Sequence, residues 1–170
     1  MKKILSLFLA VCCLAGILGC TAERKTPEDS VAVFYKKDKT TYGTPDGVIA
    51  ETYMHAAGHE KDYAYLLNQY LKADPGDGFS STFPKGVTLI HFKLEGLTAK
   101  VVLSDRIADL SGMELTIALT CLTQTVMSMT GCQEVIISAS TKQLDGQNFI
   151  TLSQDSYLLI DNSSITQSKP

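Results

Sequence analysis

The spacing of apolar residues between positions 60 and 103 constrains the fold more than any other feature of the chain, because its period changes from that of a helix to that of a strand. From about Glu60 to Ala73 the apolar residues recur every three or four positions, which is typical of one stripe of an amphipathic helix. The stripe consists of Tyr63, Leu66, Leu67, Tyr70 and Leu71. From Val87 to Leu94 and from Leu97 to Leu103 the pattern alternates instead, with Glu95-Gly96 as a two-residue turn. We therefore predict a helix followed by an antiparallel hairpin.

Alternation also assigns the hairpin side chains to faces of the sheet. In the first strand, one face carries Ile90, Phe92 and Leu94. In the second strand, one face carries Leu97, Ala99, Val101 and Leu103. A strand pair patterned in this way is buried on one side and solvated on the other.

A second helix is predicted to begin at Ser111, because Ser111 and Glu114 have the spacing of a capping box before an apolar-periodic run. Its buried stripe comprises Leu115, Ala118, Leu119, Leu122, Val126 and Met129. Gly131 stands where a left-handed residue ends a helix, and Val135-Ile136-Ile137 then reads as a central strand. The order helix, strand, strand, helix, strand predicts an α+β fold, with an antiparallel or mixed sheet and two helices on one face.

Weaker strand patterns flank this αββαβ core. Before it, Val31 to Tyr35 predicts a strand, and a turn at Thr44 to Gly47 leads to an extended segment from Val48 to Tyr53. After it, extended segments are expected at Asn148 to Leu152 and Tyr157 to Ile160. We expect one domain over residues 30–161 and a polar tail over residues 162–170.

The N-terminus has the order of a secretory signal. Two lysines, Lys2 and Lys3, precede an uncharged apolar run from Ile4 to Leu18 that is short for a membrane-spanning helix. The next residues complete Ile17-Leu18-Gly19-Cys20, which resembles the bacterial lipobox. That resemblance implies cleavage after residue 19, diacylglycerol on Cys20, and residues 20–29 as a tether to the outer face of a membrane. An ordinary secretory peptide followed by a structural cysteine is the alternative.

Composition narrows the partners of the mature chain. Removal of residues 1–19 from the 170 leaves 151 residues, enough for one domain with a core. The two lysines are removed with the signal, so the mature chain has 13 Lys and Arg and 18 Asp and Glu. This acidic balance argues against nucleic acid as a partner, because phosphate binding depends on clustered Lys and Arg. Outside the signal and Cys20, only Cys121 and Cys132 remain. Their separation along and beyond a helix predicts two free thiols.

Motifs for catalysis or metal binding are weak. His55 and His59 have the i, i+4 spacing of helical metal ligands, but Ala56 stands where the zincin pattern has glutamate, and Gly58 breaks a helix. We interpret this segment as a polar loop; a cell-wall or small-molecule hydrolase using both histidines and a nearby carboxylate is the enzyme alternative. Nucleophile elbows and phosphate loops are missing from the sequence. Ser104-Asp105-Arg106 is interpreted as a turn with a local Asp–Arg pair. We expect no catalytic residue, metal or cofactor.

The run from Leu66 to Ile137 resembles the GerMN domain, the sporulation and spore germination domain of Gram-positive envelope lipoproteins. The segments that carry the resemblance are Leu66-Leu67, Gly78 to Val87, Val101 to Ser104, Leu119 to Gln124, and Glu134 to Ile137. The chain departs from the family after the final strand, where a glycine normally precedes a short hairpin, because Gly146 comes later than that glycine.

The resemblance implies a ring-building-motif-like fold and a binding function, with no catalytic residues to carry over. The implied partners are the membrane, through lipid on Cys20, and other envelope proteins, with further copies of the chain as an open alternative. We expect recognition by a sheet edge and the loop Asp74 to Gly86. The candidate contacts are Phe79, Ser81, Phe83 and Lys85. Burial of both phenylalanines, and a ligand-binding or sensory role for the loop, are the alternatives.

Overall fold

A computed structural model of the chain describes residue 27 and residues 29–39 and 48–154. The predicted signal peptide, Cys20, the turn at residues 44–47, the strand at residues 157–160 and the tail at residues 162–170 lie outside these residues. The described part is an α+β fold with two helices and two sheets. Among the described residues, no helix combines the length and apolar character needed to cross a membrane.

The elements follow one another in the predicted order. In chain order they are β1 (Ser30–Lys37), β2 (Ile49–His55), α1 (Tyr63–Lys72), β3 (Phe79–Ser80), β4 (Leu89–Glu95), β5 (Thr98–Leu103), a 3₁₀ helix (Asp105–Asp109), α2 (Gly112–Thr130), β6 (Glu134–Ala139) and β7 (Ile150–Ser153). The four-stranded sheet has the order β4-β5-β6-β7, in which β5 and β6 are parallel and the other pairs antiparallel. The two strands before the αββαβ core form a separate antiparallel sheet with β3 from the loop after α1, in the order β2-β1-β3 with β1 in the centre.

Helix α1 buries the predicted stripe but begins later than the sequence predicts. Leu66, Leu67, Tyr70 and Leu71 are buried, and Tyr63 packs edge-on against Phe92 with ring centroids 6.0 Å apart. The side chain of Asp62 accepts a hydrogen bond from the Tyr65 amide at 3.1 Å, which makes Asp62 the N-cap. Glu60 therefore lies outside the helix, in the preceding turn.

The hairpin turn is displaced by one residue from the predicted position. Glu95 pairs with Thr98, so the turn residues are Gly96, at φ 61°, and Leu97. Leu97 is 56% exposed, and the prediction that it shares the buried face was wrong. A bulge between Leu89 and His91 likewise turns Ile90 outward, at 55% exposure. The pattern of alternation could not show this extra residue.

Helix α2 spans the predicted run, but Ser111 does not cap it with its side chain. The backbone amide of Gly112 donates instead to Asp145 Oδ2 at 2.9 Å, so the acceptor comes from a turn 33 residues away. That turn is a tight reversal from Leu144 to Gln147, with positive φ at Asp145 and Gly146. Gly131 ends the helix at φ 70°, as predicted.

The two sheets are joined by side chains of both helices at one edge of β1. On that edge, the Phe34 amide donates to Thr125 Oγ1 of α2 at 3.0 Å, and the Phe34 carbonyl accepts from the Tyr70 hydroxyl of α1 at 2.7 Å. The Tyr35 hydroxyl donates to the Tyr70 carbonyl at 3.3 Å. Along this edge β3 pairs only with Lys36 and Lys37 of β1. Two helix side chains thus supply hydrogen-bond partners for backbone groups of β1 that β3 does not reach.

Candidate recognition site

The loop Asp74 to Gly86 is attached to the end of β1 by backbone pairing. Its strand β3 places Phe79 opposite Lys37 and Ser80 opposite Lys36. The Ser80 hydroxyl bonds the carboxylate of Asp38. A loop of mixed polar composition is therefore held in a fixed position on the three-stranded sheet.

The four predicted contact residues divide into two that hold the loop and two that face solvent. Phe83 is 7% exposed and packs edge-on against Tyr70, with ring centroids 5.5 Å apart. Phe79 is half-buried against the core. Ser81 and Lys85 are exposed. Phe83 therefore anchors the loop and offers no accessible side chain, while Ser81 and Lys85 are available for contact.

Two open grooves lie on either side of the segment from Ser81 to Pro84. The first has a volume of about 650 Å³, and its lining includes the end of α1, Pro75, Phe79 and Lys85. The second has a volume of about 410 Å³, and its lining includes Lys36, Asp109, Glu114 and Ile117. The segment, called the ridge below, thus separates two grooves of mixed charge. The first is lined by Lys72, Lys85 and Asp74 beside apolar side chains, and the second by Asp109, Glu114 and Lys36.

The groups beneath the loop are buried and neutral. Burial raises the pKa of the Cys121 thiol to about 12. The Thr82 side chain lies beside that thiol, and its interaction with the thiol opposes the rise in the pKa. Burial also raises the pKa of Tyr35 to about 12 and that of Tyr70 well above its usual value. A protonated, buried thiol is a poor nucleophile, so this cluster is suited to packing.

The histidine pair lies in the loop that leads from β2 into α1. His55 ends β2, and the His59 ring stacks on Tyr65 with centroids 3.9 Å apart. His59 Nδ1 lies 4.0 Å from Asp62 Oδ2, and Glu60 accepts from the Gly58 amide at 2.9 Å. Hydrogen bonds from backbone amides lower the pKa of Glu60. In the described part of the chain, no three His, Cys, Asp or Glu side chains are grouped so that they could hold a metal ion.

Asp105 binds a distant loop, and the predicted local pair with Arg106 was wrong. Its carboxylate accepts from the Thr141 amide at 2.7 Å, the Thr141 hydroxyl at 2.5 Å and the Lys142 amide at 3.1 Å. These bonds, those from Thr141 above all, lower the pKa of Asp105. Arg106 pairs with Asp109 at 3.4 Å. The motif therefore fastens the segment after β6 to the end of β5.

Cys121 and Cys132 are both free, as the sequence predicts, and both are buried. Neither thiol is reached from either groove, because Cys121 is completely buried and Cys132 is 6% exposed. The two thiols, the histidines and Asp105 thus occupy separate parts of the described molecule. We take the grooves beside the loop as the candidate site, because they border the predicted contact residues.

Residues 32–145 match the family model described as sporulation and spore germination. The chain belongs to this family. The matched residues extend from β1 to Asp145, so the three-stranded sheet, both helices, strands β4 to β6 and the loop Asp74 to Gly86 lie within the match, whereas β7 follows it. Among curated proteins, none matches the chain.

A solved structure shows the same fold at low sequence identity. The chain is similar to the first GerMN domain of the sporulation protein GerM from Bacillus subtilis, with 14% identity and a TM-score of 0.57 over 74% of this chain and 98% of that domain. A second similar structure is that of the tandem GerMN domains of the same protein, with 16% identity and a TM-score of 0.49. It is matched over 73% of this chain and 44% of its own length.

Proposed function

We propose that the chain is an envelope lipoprotein, anchored to the outer face of the membrane through lipid on Cys20, whose GerMN domain binds protein partners of an extracytoplasmic assembly. Sporulation or germination complexes, or the extracellular part of a sensor kinase, are the assemblies that fit this role. Membership of the sporulation and spore germination family is the observation that carries the proposal. The charged start, the apolar run and Cys20 support the membrane location.

The recognition surface in this proposal is the ridge from Ser81 to Pro84 with its two grooves. Binding residues are commonly carried by loops that a rigid scaffold positions, and this loop is held by β3 and by buried Phe83. Exposed Ser81 and Lys85 offer polar contacts beside an apolar groove wall. A protein partner would bury the wall and leave these two residues at the rim.

A binding role fits the chemistry of the described residues better than an enzymatic one. A hydrolase needs a nucleophile or an activated water within reach of a base. His59 is stacked on Tyr65, and the nearest carboxylate contact, to Asp62, is 4.0 Å long. The family is not a known enzyme family.

A ligand-binding or sensory module is the second candidate. The groove of about 650 Å³ beside Phe79 has the size of a small-molecule site, although it is open to solvent. Binding of a small molecule would be detected as a ligand-dependent rise in melting temperature of the purified domain, lost in a Phe79→Ala variant.

Fractionation of cells that express wild-type chain and a Cys20→Ser variant tests the anchor. We expect wild-type protein in the membrane fraction with the mass of a lipidated chain that begins at Cys20, and unprocessed or released protein for the variant. A correctly processed Cys20→Ser variant that stays in the membrane would contradict the proposal.

Lys85→Glu tests the surface in the same cells, since it should abolish co-purification of the partner while the variant remains in the membrane.

A further inference from the structure

The tether leaves the domain at a fixed point in the base loop, which we define as residues 55–62. The Ala56 amide donates to the Asp29 carbonyl at 2.8 Å, and Ser30 pairs with His55. The Ser30 hydroxyl and amide both bond the Pro27 carbonyl, at 2.6 and 3.2 Å. The described residues at the end of the predicted tether, Pro27 and Asp29, are therefore held beside the base loop by hydrogen bonds.

The recognition loop lies at the other end of the same strand. Ser30 pairs with His55 of the base loop, and Lys36 pairs with Ser80 of the recognition loop. Six residue steps along a strand correspond to about 20 Å. Because β1 is the central strand of its sheet, it separates the two loops as a rigid spacer.

The reach of the tether is comparable with this separation. Pro27 lies seven residues after Cys20. A chain of that length reaches about 25 Å when fully extended and averages about 15 Å end to end when flexible. A lipid on Cys20 would thus keep the base loop within a short distance of the bilayer.

The base loop and the adjoining first turn of α1 have surface chemistry that suits lipid headgroups. Tyr65 is 40% exposed and carries the stacked His59 ring beside it. Aromatic rings with a polar tip are typical of the membrane interface. Glu60 and Asp62 bond the Gly58 and Tyr65 amides, so backbone donors of the loop partly offset their charges. Exposed Lys61 provides a cation for headgroup phosphate.

We infer that the base loop is the bilayer-facing surface of the anchored chain, and that β1 holds the recognition loop on the side away from the membrane. This inference rests on the proposed lipid anchor. A partner that binds the ridge would then approach from the side away from the membrane, so it must project well beyond the headgroups. A partner confined to the membrane surface would meet the base loop instead.

Quenching of a fluorophore by headgroup-labelled nitroxide lipid tests the inference on the full lipidated chain in phosphatidylcholine vesicles. The label is attached at Ala57→Cys in the base loop or at Ser81→Cys in the recognition loop, both exposed positions. The wild-type chain is the labelling control, because Cys121 and Cys132 are buried. We expect several-fold stronger quenching at position 57 than at position 81.

The outcomes separate the two proposals. A lipidated chain with equal quenching at both positions, or with stronger quenching at position 81, would overturn the orientation and leave the anchor intact. A chain whose mass shows no lipid on Cys20 would overturn both. A Tyr65→Ser variant labelled at position 57 should be quenched less than its parent if the ring contacts headgroups, and an unchanged signal would contradict that contact.

Discussion

The two sheets of this domain are held in different ways. In the four-stranded sheet each of β5 and β6 has a strand on both sides, so its polar backbone groups are paired within the ladder. In the three-stranded sheet β1 has a full partner only in β2, and Tyr70 and Thr125 bond its other edge at Phe34. The comparison shows that helix side chains can replace a missing strand, and that such a sheet depends on individual hydrogen bonds.

The largest expected effect comes from Leu122, which is completely buried in the helix that packs on both sheets. Leu122→Ala should lower the free energy of unfolding by about 2 to 5 kcal/mol, because it removes buried contacts and leaves a cavity. Denaturant midpoints measure this, with 59% exposed Met113→Ala as the control. An unchanged midpoint for Leu122→Ala would mean that α2 is not shared by the two sheets.

Loss of the Tyr70 hydroxyl should destabilise the three-stranded sheet more than the four-stranded sheet. Tyr70→Phe leaves the Phe34 carbonyl without its 2.7 Å donor and should cost about 1 to 3 kcal/mol. In hydrogen exchange, amides of β1 and β2 should lose more protection than those of β5 and β6. Tyr65→Phe changes an exposed hydroxyl and should have little effect. Equal loss of protection in both sheets would contradict the distinction drawn here.

A smaller effect is expected at the start of α2. Asp145→Gly removes the acceptor of the Gly112 amide while tolerating the positive φ, and should cost about 1 kcal/mol. Ser111→Ala should cost less, because the Ser111 side chain makes no capping bond. Thermal unfolding of the two variants compares them. If Ser111→Ala were the more destabilising, the predicted capping box would be correct after all.

The smallest effect concerns the free energy of unfolding at acid pH. The pKa of Asp105 is lowered in the folded chain by its hydrogen bonds to Thr141 and Lys142. The stability that these bonds contribute is therefore fully present above the unfolded pKa of about 3.9, and it is lost as the pH falls through the lower folded pKa. The difference in stability between wild type and Asp105→Asn should be constant near neutral pH and shrink below about pH 4. Acid titrations of unfolding measure it, and a difference independent of pH would contradict the role of the carboxylate.

Local patterns in the sequence predict the elements of this fold, because the stripe of a helix and the alternation of a strand depend only on residues close together in the sequence. Leu66 and Leu122 are buried as their spacing requires. The errors occur where distant residues decide the outcome. Asp145 replaces Ser111 as the cap of α2, and Thr141 replaces Arg106 as the partner of Asp105. One inserted residue at Ile90 also alters a face that alternation assigns.

The loop that carries the candidate site was predictable from the sequence, but its packing was not. Length, prolines and phenylalanines mark the loop Asp74 to Gly86 in the sequence. That Phe83 points into the core depends on its contact with Tyr70, which lies in a different element. The stripe of α1 predicts burial of Tyr70, whereas its hydrogen bond to Phe34, 36 residues earlier, follows only from the tertiary structure.

Photo-crosslinking in native membranes tests the central claim, that the domain binds a protein through the ridge beside its two grooves. A photoreactive residue at position 81 should capture a defined neighbour, whereas the same residue in place of exposed Ser128 on α2 should not. Lys85→Glu should abolish capture without lowering the unfolding midpoint. Equal capture from positions 81 and 128 would contradict the claim, as would a hydrolytic activity of the purified domain that a His55→Ala, His59→Ala double variant loses.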